Sequence, residues 1–331
     1  MLNPDLKLNP KLFEEDVEVK PTRAGYGEGL VVLGEQNPNV VALSADVAES
    51  TQAHKFAQKF PERFFQCGVA EQNMAAIAAG LGVSGKIPFI SSYATFSPGK
   101  NWETIRTTII YNQSNVKIAG HHSGIMTGPD GATHQATEDI AITRCWPDIK
   151  VIIPCDAIEA KKATIDAAKI DGPVYLRFSR DKTPLITTEE TPFATSKIPI
   201  FWTTKNPVCA ILATGYMMYY SLLAAKELEQ EGTPVLVANV STIKPLDQNS
   251  ILSIVQQTRT LVTVEDHQVM GGMGGAIAEF LAKTKPTPIE FIGVQDTFAE
   301  SGSPKELIEK YGMGTKSIKE AVKRAISRKQ Y

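Results

Sequence analysis

Several short clusters in this sequence could do chemistry. The segment Gly68-Val69-Ala70-Glu71-Gln72-Asn73-Met74 places a carboxylate at the opening of a small-residue run, Ala75-Ala76-Ile77-Ala78-Ala79-Gly80-Leu81-Gly82. Alanines at that density favour a closely packed helix. A carboxylate near the buried start of such a helix needs a partner, because an unpaired buried charge is costly. The plain reading is a first-turn acid that complements the helix dipole; the other is a reactive group. Histidines gather at His121-His122 and, across Gly128-Pro129-Asp130-Gly131-Ala132-Thr133, at His134. Imidazole suits proton transfer near neutral pH, and these histidines lack the i,i+4 pairing or nearby cysteines of a zinc site. Asp46 with Ser50 and Thr51, Tyr93 with Thr95 and Phe96, and Ser179-Arg180 complete the set. Gly271-Gly272-Met273-Gly274-Gly275 invites a nucleotide-binding reading but fails the G-x-G-x-x-G pattern at Ile277, so a tight turn is expected there.

The elements that must position these residues read as alternating strands and helices. Residues 1–20 form a polar, irregular, mobile lead-in. Thr22 caps a helix through Leu30 to about Gln36. Buried strands follow at Val40–Ser44, Ile87–Tyr93, Val116–Gly120, Val151–Ile153 and Val174–Phe178, with helices around His54–Phe60, after Glu71, at 101–111, at 138–145 and at Asp156–Ala168. The histidine-rich loop directly follows the Val116–Gly120 strand. Residues 183–206 are polar and proline-punctuated, a linker with room for short strands. The alternation restarts from 207: strands at Val208–Thr214, Val235–Ala238, Leu261–Glu265 and Ile289–Val294, helices at Met217–Glu231, Leu246–Thr258 and Ala276–Ala282, then two C-terminal helices. Lysines and arginines from Lys316 to Lys329 mark a solvated face of the last helix. The fold class is therefore α/β, two open domains with mostly parallel sheets covered on both faces. In such sheets ligands collect beyond the carboxyl ends of the strands, where the Asp46, Tyr93, His121 and Arg180 clusters fall.

The composition excludes several classes. With 34 Lys and Arg against 36 Asp and Glu, the 331 residues carry a net charge of -2, no footprint for nucleic acid or an anionic membrane surface. No apolar run approaches a membrane span, and Met1-Leu2-Asn3-Pro4-Asp5 shows no basic-then-apolar signal. Cys67, Cys145, Cys155 and Cys209 are widely spaced, as expected of thiols in a reducing, cytoplasmic setting rather than of a zinc framework.

Taken together and in order, these motifs resemble the C-terminal half of transketolase, from about Thr22 to the end. The anchors are Leu43-Ser44-Ala45-Asp46, Gly68–Met74, Asp130-Gly131-Ala132-Thr133-His134-Gln135, Leu176-Arg177-Phe178-Ser179-Arg180, Lys244-Pro245-Leu246-Asp247 and Glu265-Asp266-His267. The resemblance implies a pyrimidine-binding domain over 21–182 and a transketolase C-terminal domain over 207–331, joined by the 183–206 linker. It also implies that the domain holding the diphosphate and Mg²⁺ (or Ca²⁺) of thiamine diphosphate, with its G-D-G signature, lies on an N-terminal companion chain. The active site would then form between chains, with a dimer of heterodimers completing two sites.

The same resemblance assigns roles. Glu71 would stand beside N1′ of the cofactor's aminopyrimidine and favour its imino form. Asp46 and Val47 match positions near the cofactor, and Phe96 and Tyr93 would stack on its ring. Arg23, Ser50, His121 and Arg180 would bind the phosphate of a phosphorylated sugar, Asp130 a substrate hydroxyl, and His134 would move a proton at the reacting carbonyl. The loop between His121 and Asp130 is one residue longer than usual, so His121 and His122 are interchangeable at this point. Phe96-Ser97-Pro98-Gly99-Lys100-Asn101-Trp102 departs from the family's aromatic cluster. The implied reaction is transfer of a two-carbon ketol unit between sugar phosphates, in pentose phosphate metabolism. Two related thiamine enzymes, deoxyxylulose-phosphate synthase and the β chain of a 2-oxoacid dehydrogenase, are the alternatives. His121-His122, where the synthase tends to carry Asp-Arg, and the Thr133-His134-Gln135 loop separate them. A non-catalytic interaction subunit is the alternative of another class, and Glu71, Asp130, His134 and Arg180 together speak against it.

Overall fold

The structure, a computed structural model, describes residues 1–328. β1 (Val19–Pro21) leads into α1 (Thr22–Gln36), β2 (Val40–Ser44), α2 (Ala48–Thr51), α3 (His54–Lys59), β3 (Phe64–Gln66), α4 (Glu71–Val83), β4 (Ile87–Tyr93) and α5 (Trp102–Thr104). β5 (Lys117–His121), α6 (Asp139–Arg144), β6 (Lys150–Ile152), α7 (Ala157–Ala167), β7 (Val174–Arg177) and β8 (Lys182–Pro184) follow. The second half comprises β9 (Ile200–Trp202), β10 (Cys209–Ala213), α8 (Met217–Gln230), β11 (Val235–Asn239), β12 (Thr242–Lys244), α9 (Gln248–Thr258), β13 (Leu261–Gln268), α10 (Met273–Thr284), β14 (Ile289–Val294), α11 (Pro304–Lys310) and α12 (Thr315–Arg328).

Seven strands form the first sheet, in the order β12-β6-β7-β5-β4-β2-β3, parallel except for β12. Five form the second, β14-β13-β10-β11-β9, parallel except for β9. Every residue of β2, β5, β10 and β11 is buried, as continuous apolar runs covered on both faces require. On one face of the first sheet, Tyr26, Leu30 and Phe56 pack with Ala160 and Ala163 of α7. On the other, Met74, Ala75 and Ala78 of α4 join a cluster that continues through Ile243, Ile251 and Met273 of the second half. The two α/β units therefore share a hydrophobic core.

Several expectations need correction. The lead-in over residues 1–20 is seated rather than mobile. Leu8 and Leu12 are buried against the second domain, Asn3 N donates to Phe201 O at 2.9 Å, and β1 pairs with β8. Thr22 is not a cap: Pro21 holds that position without a side-chain bond. Thr22 Oγ1 instead accepts from Ser179 N at 2.8 Å, tying the start of α1 to the loop after β7. The helix expected over 101–111 is a short α turn at Trp102–Thr104 followed by wider π turns over Ile105–Ile110. β12 crosses from the second half to close the edge of the first sheet.

Other expectations agree with the coordinates. Asp156 caps α7, accepting from Glu159 N at 2.8 Å. The glycine run before α10 is a turn whose helix N-terminus is already taken by the buried Glu265 carboxyl group, which accepts from Met273 N (2.6 Å) and Gly274 N (2.9 Å). A Cβ on Gly272 would lie 2.1 Å from Glu265 Oε2, so glycine is required there. The basic face of α12 is ion-paired, Lys319 and Lys323 to Glu231 and Arg324 and Arg328 to Glu290. Lys329 and the remainder of the expected 207–331 domain lie outside the described residues.

Candidate active site

Glu71 is the first residue of α4 and is almost completely buried. Ala70 before it offers no capping side chain, and Asn101 Nδ2 donates to Glu71 O at 3.0 Å. The Glu71 carboxylate has one side-chain partner among the described residues: Lys100 Nζ donates to Oε2 at 3.1 Å. Lys100 is half-exposed, so the buried acid is neutralised by a group that stands at the surface. Lys100 ends an irregular turn, Thr95–Lys100, whose second residue is Phe96.

Phe96 belongs to a wall of rings. Tyr93, at the end of β4, stacks on Phe96 (centroids 6.0 Å apart, 20° between planes) and on His122 (3.9 Å, 22°). His134 meets Phe96 edge-on at 5.4 Å and Tyr93 at 5.9 Å, and its Nδ1 lies 2.9 Å from Thr133 Oγ1. His122, at φ 53°, turns its ring toward this wall. Burial pushes its imidazole down to about 3, assisted by the charges of Arg23 and Arg180 and by His134, so it is a neutral ring near pH 7.

His121 does not occupy the place expected of it. It is the last residue of β5, fully buried, stacked 5.0 Å from Phe178 and edge-on to Tyr26 at 4.8 Å. Neither ring nitrogen has a hydrogen-bond partner among the described residues, and burial holds its pKa well below the ordinary value. His121 is the last residue of β5 and faces the core, whereas His122 follows the strand and turns at φ 53° to stack on Tyr93.

Two arginines stand beside these rings. Arg23, in the first turn of α1, is held by Nη1 to Ser50 O at 2.7 Å, while its buried Nε has no partner. Burial and the neighbouring Arg180 lower its pKa, with Tyr93, Asp181 and Asp130 acting the other way. Arg180 Nε lies 3.8 Å from Asp130 Oδ2 and Nη1 donates to Thr127 O at 3.4 Å. Two neighbouring guanidinium groups, one with an unmatched donor, suit an anionic ligand with several acceptor oxygens. Ser50 contributes its carbonyl to Arg23. Asp46 sits exposed at φ 61° with its N–H bound to Gln66 Oε1 at 2.7 Å. Val47, half-buried, donates its N–H to Ser44 Oγ at 3.3 Å.

Residues 19–185 match the pyrimidine-binding domain of transketolase and residues 203–318 its C-terminal domain. A Methanocaldococcus jannaschii protein, provisionally named a transketolase C-terminal section, is 42% identical over 90% of this chain and 94% of its own length. The chain belongs to the transketolase family. A 6-deoxy-6-sulfo-D-fructose transketolase subunit, SqwH, of Clostridium sp. (strain MSTE9) is 35% identical over 96% of this chain and 98% of its own. A solved split-gene transketolase, described as an inactive β4 tetramer, superposes with a TM-score of 0.87 at 41% identity, covering 93% of this chain and 99% of that one.

Within this transketolase-family chain, the sequence does not mark Lys100 or Asn101, and it leaves His121 and His122 as alternatives. Lys100 pairs with Glu71 from 29 positions away, and nothing local in Gly99-Lys100-Asn101 marks it. Asn101 is buried, an observable only in three dimensions. His122 was one of two neighbouring candidates, and only the turn at His122 after β5 decides between them.

Proposed function

We propose that this chain is the C-terminal subunit of a two-chain, thiamine-diphosphate-dependent transketolase. It would transfer a two-carbon ketol unit from a ketose phosphate to an aldose phosphate, in pentose phosphate metabolism in the cytoplasm. The observation that carries the proposal is the buried Glu71 carboxylate together with the cluster of Tyr93, Phe96, His122 and His134 rings near Arg23 and Arg180. Relatives of matching length named as a section or subunit of transketolase support the two-chain reading. Phe65, Val69, Ile77 and Val83, before and along α4, stand exposed. The companion would hold the diphosphate and its Mg²⁺ or Ca²⁺, and two such pairs would assemble as a heterotetramer.

The residues fit the aminopyrimidine end of the cofactor. Glu71 is a buried acid whose one side-chain partner among the described residues is the half-exposed Lys100, and the partly exposed Phe96 and Tyr93 stand near that lysine's turn. When bound, thiamine diphosphate supplies the carbanion chemistry; the protein supplies orientation and electrostatics. Glu71 would hold a proton for the aminopyrimidine end of the cofactor, in a site where low exposure strengthens such a contact. Phe96 and Tyr93 cover the ring and exclude water. Arg23 and Arg180 bind the sugar phosphate, Asp130 accepts from a substrate hydroxyl, and His134 moves a proton at the substrate's carbonyl oxygen. His122, rather than His121, lines the wall between the rings and the arginines.

The test is reconstitution. Mixing the chain with a companion carrying the diphosphate motif should generate ketol transfer between sugar phosphates that neither chain shows alone. Turnover by this chain alone would overturn the two-chain reading.

A further inference from the structure

We infer that Asp266, in the second domain, is a positioning residue that clamps the loop running from His122 to Thr137. Asp266 lies in β13 and is buried. Its Oδ1 accepts from Ile125 N at 3.0 Å, across the domain boundary. Gly124, just before Ile125, sits at φ 69°, and a Cβ there would fall 1.6 Å from Asp266 Oδ2. The backbone can approach this carboxylate only as glycine. Gly124 N also donates to Ala136 O at 2.7 Å, so the clamp fastens both feet of the loop.

The surroundings fix Asp266 itself. Arg177, buried at the end of β7, donates from Nη2 to Asp266 O at 2.7 Å and to Ala136 O at 3.1 Å, and from Nε to Asp139 Oδ2 at 2.8 Å. One guanidinium thus joins the strand carrying Asp266, the far foot of the loop and the start of α6. The second domain adds three further contacts. Gln268 N donates to Thr137 O at 2.7 Å, Gln135 Nε2 donates to Glu300 O at 3.1 Å, and Ala141 N donates to His267 Nε2 at 3.3 Å. Between the clamped feet the loop carries Asp130 and His134, with His122 at its first position. The second domain therefore acts on this loop through bonds to its feet. A loop held at both ends by buried bonds loses little further entropy when ligand arrives. The clamp stands on the geometry; its consequence for substrate rests on the function proposed above.

The test uses the full chain and its reconstituted complex. Asp266→Ala leaves Ile125 N without an acceptor. Amides within 123–136 should then exchange with deuterium about tenfold faster, the effect of one lost bond to a charged acceptor, while those of β2 and β4 keep their rates. KM for the sugar phosphate should rise by about tenfold and thiamine diphosphate affinity should hold, since loose positioning weakens substrate contacts. Asp266→Asn, which keeps an oxygen for Ile125, should restore both. If Asp266→Ala does not fold, Gln135→Met tests the same loop by removing the bond to Glu300. Unchanged exchange at 123–136, or equal loosening of both domains, would overturn the clamp. Faster loop exchange with unchanged KM would leave the clamp standing and overturn the substrate role of the loop.

Discussion

Replacing Glu71 with glutamine separates chemistry from folding at a single position. The substitution keeps shape and volume and removes one negative charge. In the isolated chain that charge has one partner, Lys100 at 3.1 Å, with side-chain exposures of 3% for the glutamate and 49% for the lysine. Because the ammonium is solvated, the pair falls in the weak range of about 0–1 kcal/mol. The carboxylate's desolvation cost, which glutamine avoids in part, offsets some of even that. Stability should therefore change by less than about 1 kcal/mol, a shift of only a few degrees in Tm. Activity should behave differently. A positioned proton-transfer group contributes about 10²–10⁴ in rate, or about 3–5 kcal/mol of barrier. Thermal unfolding of the purified variant, followed by the rate of ketol transfer after reconstitution at saturating cofactor, reads both numbers. A variant that folds normally and transfers within about tenfold of the parent rate would fall outside that range and refute the role given to Glu71.

Two further predictions follow from the two ends of the molecule's polar interior. Arg180→Ala should raise KM for sugar phosphates by about tenfold with kcat little changed, as expected for a contact made equally with substrate and transition state; steady-state kinetics showing an unchanged KM would contradict the phosphate role. His267 should make stability fall in acid. It is buried, donates from Nδ1 to Gln268 O at 2.7 Å and accepts at Nε2 from Ala141 N at 3.3 Å, an arrangement that requires the neutral ring. Burial pushes its pKa from 6.5 down to about 4. The unfolded chain therefore takes up a proton at a higher pH than the folded one. The stability contribution is complete above about pH 6.5 and is lost as pH falls toward 4, up to about 3 kcal/mol. Denaturant unfolding across that window should show a shallower pH slope in His267→Gln; an identical slope would exclude His267 as the source.

Sequence and structure agree where the signal is local. Asp156 ahead of an alanine-rich periodic run gives a capped helix, and the apolar runs at Val40–Ser44 and Val235–Ala238 give buried strands, because burial on both faces leaves a continuous apolar string. Agreement fails where a long-range partner decides. Leu8 and Leu12 look isolated among polar residues, yet a surface on the second domain waits for them. β9 and β12 are three-residue antiparallel edges, too short for periodicity to show. The glycine run could be read only as a turn, since its carboxyl partner, Glu265, precedes it by several residues in another element. Tyr93, Phe96 and His134, at the ends of separate elements in the sequence, are brought together as one ring cluster. Which of His121 and His122 joins it was not legible, because the turn at His122 (φ 53°) that carries its ring onto Tyr93 has no sequence mark.

Thiamine diphosphate titration tests most directly whether Glu71 is half of a site that another chain completes. Binding should be followed calorimetrically to this chain, to the companion and to their mixture. The account predicts weak binding to this chain alone and affinity at least about tenfold higher in the mixture, a gain of at least about 1.4 kcal/mol, with that gain reduced in Glu71→Gln. Equal affinity for the isolated chain and the mixture, unaffected by Glu71→Gln, would contradict it.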